Sequence, residues 1–168
     1  MTRYAAYATL VAVLLIVQIV WLDRVTIGGA APNPLVILVM AVGLLHGSEE
    51  GALVGAGVGF LQDVVAGGPL GLGMLAELSV GFAAGLGEHV IYVENIWLPV
   101  LGAVTLSALH TAVWAAAAHL VGMLQAPILE VLRVGALGAC YNGFIAVPIF
   151  RALRYIDLAL VRDHEDSR

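Results

Sequence analysis

Asp63 and Glu77 are the residues whose types and positions invite a chemical reading first. Each is the lone acid of a long apolar, glycine-rich run. A carboxylate set among apolar residues needs a cation, a donor or a proton. Arg24 and Arg133 are the cations whose predicted depth matches. The pattern therefore predicts that Asp63 or Glu77 pairs with Arg133 or Arg24. Such a pair serves either to fix packing or to hold a ligand, a proton or a partner.

Other chemistry finds less support. His46 with Glu49 and Glu50 offers metal-ligand types within a helical turn, but no H-E-x-x-H pair accompanies them. His110 and His119 are nine residues apart, about 180° round a helix, and cannot share one metal. No G-x-S-x-G elbow provides a serine nucleophile. The Gly57-Val58-Gly59 run lacks the preceding strand and following lysine of a phosphate loop. The reading is of a protein that is not an enzyme, with no catalytic residues, no metal and no cofactor.

Composition decides the solvent. The 168 residues are 61% hydrophobic and 11% charged, with a mean hydropathy of +1.00. Soluble domains run near 45–50% apolar and about 25% charged, so a soluble globule is excluded. There is no lysine and no basic stripe to suit nucleic acid. One cysteine, Cys140, cannot form an internal disulfide. No extended polar block marks a second domain, and residues 1–168 read as one membrane-embedded, all-α unit.

Apolar runs and turn signals place the elements that must position these groups. Six transmembrane helices are expected, near 5–22, 34–46, 51–66, 72–87, 96–121 and 128–150, with five as the alternative count. The first run follows Arg3 and is longer than a signal-peptide core, so it reads as an uncleaved span. The second is shorter than the ~20 residues a span needs, which suggests a tilted or re-entrant segment. Counting arginines on six spans puts five on the side of the termini and two opposite, so both termini are expected in the cytoplasm.

Two stripes run through the third and fourth expected helices. Gly51, Gly55, Gly59 and Asp63 recur every four residues, as do Gly73, Glu77, Gly81 and Gly85. Small residues at this spacing let membrane helices approach closely. These eight are candidates for helix packing or partner contact. Ser107, His110, Thr111, Trp114 and Ala118 share one face of the next helix and form a mildly polar seam. Gly135, Gly138 and Asn142 form a small-polar face on the last.

The order of motifs carries a resemblance. Pro32-Asn33-Pro34-Leu35 opens an apolar span. Gly47, Gly51, Gly55, Gly59-Phe60 and Gln62-Asp63 follow, then Gly68-Pro69-Leu70-Gly71, Gly81 and Gly85. This resembles the MreD family of rod shape-determining proteins, most sharply over residues 32–87. Asn33 departs from a family pattern that often has aspartate after the proline. The resemblance implies a multi-pass protein of the bacterial inner membrane and a fold similar to the substrate-binding S-components of energy-coupling-factor transporters. It implies a scaffold of the peptidoglycan elongation complex, with an MreC-like bitopic protein as partner. RodA and its penicillin-binding transpeptidase would be further partners, and MreB an indirect one. The alternative is a substrate-binding membrane subunit of a small-molecule, vitamin-type transporter.

Overall fold

The computed structural model describes residues 3–20, 25–87 and 97–165. Those residues form five helices: α1 (Arg3–Val20), α2 (Pro34–Ala66), α3 (Leu72–Gly85), α4 (Trp97–Leu120) and α5 (Ile128–Glu165). Each expected span has a helical counterpart, but the second and third are two arms of α2. The last helix runs well past residue 150. Among the described residues, three helices are long and apolar enough to cross a membrane: Pro34–Ala66, Pro99–Leu120 and Ile128–Tyr155. Thr9–Gln18 and Leu72–Gly85 are shorter apolar helices.

The reversal in α2 occurs at Gly47, whose φ of 89° and ψ of 176° break the helix. Only glycine reaches this conformation without strain. In a continuous helix Gly43 and Gly51 would lie ~12 Å apart. Here a Cβ on Gly51 would fall 2.7 Å from the Gly43 Cα, so the second arm folds back on the first.

The first arm, residues 34–46, is the centre of the molecule. Leu35 to Val42 are each at most 1% exposed. A helix apolar on every face is stable only when surrounded, and PLVILVMAV has that composition. At 1.5 Å per residue the arm is ~20 Å long, shorter than a hydrocarbon core of ~30 Å. Val11 and Leu15 of α1, Val80 of α3, Ala103 of α4 and Ala146 and Phe150 of α5 pack into the same cluster. Asn33 caps the arm, its Oδ1 accepting the N–H groups of Leu35 (3.1 Å) and Val36 (3.4 Å). Asparagine and aspartate cap about equally well, so the departure from the family pattern leaves this cap intact.

The start of α2, the end of its second arm, the start of α3, the end of α4 and the start of α5 gather at one end of the bundle. We call this the turn end.

Candidate functional site

The second arm of α2 and α3 form an antiparallel pair in backbone contact. A Cβ added at Gly51 would overlap the Gly81 carbonyl, one at Gly55 the Glu77 carbonyl, and one at Gly59 the Gly73 carbonyl. One at Gly85 would overlap the Ser48 backbone. Each contact moves four residues forward on one helix and four back on the other. Gly43, on the first arm, also abuts the Gly81 carbonyl and Ala84. Three stretches of backbone thus meet at Gly43, Gly51 and Gly81. The sequence reading missed Gly43, because the reversal that brings it there is set by one residue's φ.

Asp63 ends this seam, and its partners among the described residues are backbone N–H groups. Its carboxylate accepts the N–H of Gly71 at 2.7 Å, of Gly73 at 2.9 Å and of Met74 at 3.2 Å. These are donors of the first turn of α3, which lack partners within their own helix. The cap residue Gly71 has no side chain to serve them, and its φ of 107° favours glycine. Asp63 is therefore a cap lent by the neighbouring helix, with its charge at the positive end of the α3 dipole. Gly67 closes α2 in the left-handed region at φ 64°. Gly68 is in open space and has no positive φ. The QD…GGPLG motif thus builds one capped turn, in which Gly67 and Gly71 carry the backbone requirement.

The expected pairing with Arg133 is corrected. Arg133 Nη1 stands 3.5 Å from Glu130 Oε2, one turn away on α5, and both side chains are more than half exposed. Arg133 thus has its carboxylate on its own helix, whereas Asp63 has three backbone donors at hand. Arg24 lies outside the described residues.

Glu77 meets a histidine. It is fully buried at 0% exposure, and Nε2 of His110 on α4 stands 3.5 Å from its Oε1. Neither carboxyl oxygen makes a hydrogen bond among the described residues. The sequence held both residues, on different helices, but no spacing rule joins them across 33 positions.

A second polar junction ties three helices. Asn33 N–H donates to Asn142 Oδ1 on α5 at 2.7 Å, and Asn142 Nδ2 donates to Ser107 Oγ on α4 at 2.8 Å. Asn142 and Ser107 are 3% and 4% exposed. The seam on α4 and the small-polar face on α5 therefore face each other at the N-terminus of the central arm. Gly135 permits this approach, because a Cβ there would crowd the Thr111 side chain.

Two cavities flank the junction at the turn end. One, of about 390 Å³, is bordered by Asn33, Ser107, His110, Trp114, Glu130 and Asn142. The other, of about 290 Å³, is bordered by Gln18, Asn33, Gln62, Asp63, His110 and Trp114. Asn33, His110 and Trp114 border both. A third, of about 650 Å³, is a groove between α4 and α5 floored by Ala108, Ala112, Ala115, Ala116 and Gly135. No group of three or more metal-ligating side chains occurs among the described residues.

Comparison with known proteins gives one positive result. A family model described as rod shape-determining protein MreD matches residues 3–155. No curated protein matches, and no solved structure matches.

Proposed function

The chain belongs to the MreD family of rod shape-determining proteins, and from that premise we propose that it is a non-enzymatic scaffold of the cell-wall elongation complex. The family match over residues 3–155 is the observation that carries this reading. The protein would lie in the bacterial inner membrane and cross it six times, with both termini in the cytoplasm and the turn end outside. Its direct partner would be an MreC-like bitopic protein. RodA and its penicillin-binding transpeptidase would join the assembly, and MreB would be linked indirectly.

The packing supports a particular division of surfaces. Gly51, Gly55, Gly59, Gly73, Gly81 and Gly85 are already in contact with backbone of the same chain. They are not free to receive a partner's helix. The alanine-floored groove between α4 and α5 and the turn-end cavities are open among the described residues. Partner contact would therefore fall on the α4–α5 side. Helix association in lipid rests on close packing and a few hydrogen bonds, and an alanine floor with nearby polar groups offers both.

The test is co-purification of the full chain with an MreC-like protein from a rod-shaped host. A stable complex is expected, together with restored cell width in a host lacking its own family member. The 390 Å³ cavity favours a second reading, because it lies within the size range of small-molecule sites. A transporter-type binding subunit would retain a small molecule through purification and would form no complex with the MreC-like protein.

A further inference from the structure

The Glu77–His110 contact has no place in the packing scheme above. Asp63 accepts from three backbone donors, whereas neither Glu77 oxygen has a hydrogen-bond partner among the described residues, and His110 Nε2 stands 3.5 Å from Oε1. An ionised carboxylate sealed in the bundle without a donor is strongly disfavoured. The arrangement that satisfies both groups puts a proton between them, with Glu77 facing the His110 Nε2. If Glu77 keeps the proton it donates to Nε2, and the neutral ring carries its own hydrogen on Nδ1. If the proton crosses to Nε2, the ring is an imidazolium and again carries hydrogen on Nδ1. The bond made by one ring nitrogen thus sets the state of the other.

His110 borders both turn-end cavities, as does Trp114. The indole N–H is a donor only. Ser107 borders the larger cavity, and its Oγ already accepts from Asn142. That leaves its O–H to donate. In the larger cavity the amide acceptors are committed: Asn142 Oδ1 to Asn33 N–H, and Asn33 Oδ1 to the start of α2. The smaller cavity is different, because Gln18 borders it and its buried Oε1 has no partner among the described residues. The donor row therefore belongs to the larger cavity, which Ser107, His110 and Trp114 all border. Glu130 borders the larger cavity in its ion pair with Arg133. Residues 107, 110 and 114 follow one face of α4 at three- and four-residue steps.

We propose that Glu77 is a positioning residue that fixes the His110 ring with Nδ1–H available, so that Ser107, His110 and Trp114 form a row of hydrogen-bond donors selecting an occupant that presents acceptor oxygens. Resting on the scaffold reading, that occupant is a segment of the partner chain with unpaired peptide carbonyls. The site discriminates against groups that offer only donors, because a donor facing a donor leaves both unsatisfied.

The experiment is nitrogen NMR of the full chain in lipid nanodiscs with ¹⁵N-labelled histidine and tryptophan. The chain has five histidines, and a His110→Gln variant assigns the relevant ring. The expected result is hydrogen on Nδ1 of His110, as the neutral Nδ1–H form or the imidazolium. Glu77→Gln, whose amide still donates to Nε2, keeps that form. Glu77→Leu returns the ring to the ordinary Nε2–H form. A bare Nδ1 in the unmodified protein overturns the proposal, as does a ring unchanged by Glu77→Leu. If the leucine variant does not fold, the unmodified protein and Glu77→Gln still decide. Adding the MreC-like partner to saturation should shift both the His110 Nδ1–H and Trp114 Nε1–H signals, and unmoved signals on a formed complex overturn the acceptor assignment. If no complex forms, the scaffold reading fails while the ring state is measured all the same.

Discussion

The α2–α3 pair and the α4–α5 pair are both built from small residues, yet they pack in opposite ways. Glycine on α2 and α3 brings backbone against backbone and leaves no room for a methyl group at four successive contacts. Alanine on α4 leaves a groove of about 650 Å³ beside α5. One β-carbon per residue marks the difference. Without it two helices can seal against each other, whereas with it they meet at a crossing such as Thr111–Gly135 and part on either side. A sealed pair makes a frame, and a parted pair makes a surface that another molecule can fill.

The largest effect is expected where the frame is tightest. Gly81→Ala should cost about 3 kcal/mol or more, because the new methyl meets Gly51 backbone that cannot rotate aside. Thermal unfolding in detergent should show loss of the folded form. Gly57→Ala is the internal control, since a Cβ there meets nothing within 4 Å. It should leave stability unchanged or raise it by up to ~1 kcal/mol, the helix-propensity gain of alanine. Equal outcomes for the two variants would break the comparison at its base.

Asp63→Ala should come next, at about 2–3 kcal/mol, because it strips the acceptor from three donors of α3. Hydrogen exchange should rise first at Gly71, Gly73 and Met74. Asn142→Ala should cost about 1–2 kcal/mol by freeing Asn33 N–H and Ser107. Its effect should appear as loosening between the central arm, α4 and α5, with the α2–α3 pair unmoved. Arg133→Ala should change stability by less than about 0.5 kcal/mol, since its pair with Glu130 is half exposed. A large loss on Arg133→Ala would mean that this arginine has a partner in the frame after all.

The sequence showed most of the frame and little of the site. Four-residue glycine spacing marks a face, and two such faces on either side of the Gly67–Gly71 turn mark a hairpin. The same text could not show that the chain reverses at Gly47, because a single φ decides it and many glycines could have served. The short apolar run at 34–46 marked something unusual, but its role as the buried centre depends on what surrounds it. In the sequence Asp63 reads as a residue needing a partner, and arginine is the expected one because charge is visible in a sequence. Its partners are backbone N–H groups, which every residue has and which only the geometry of a helix start collects. His110 and Asn142 were each visible on a polar face. The contacts of His110 with Glu77 and of Asn142 with Asn33 span 33 and 109 positions, and no periodicity reaches that far.

The central claim is that α2 and α3 form an internal frame while α4 and α5 face the partner. Crosslinking from single cysteines tests it most directly, on a Cys140→Ser background. Ala112, Ala116 and Leu132 represent the groove side, and the exposed Leu53 and Val64 represent the outer face of α2. With an MreC-like partner present, the account predicts crosslinks from positions 112, 116 and 132 and none from 53 and 64. Crosslinks from 53 and 64, with a silent groove, would contradict it.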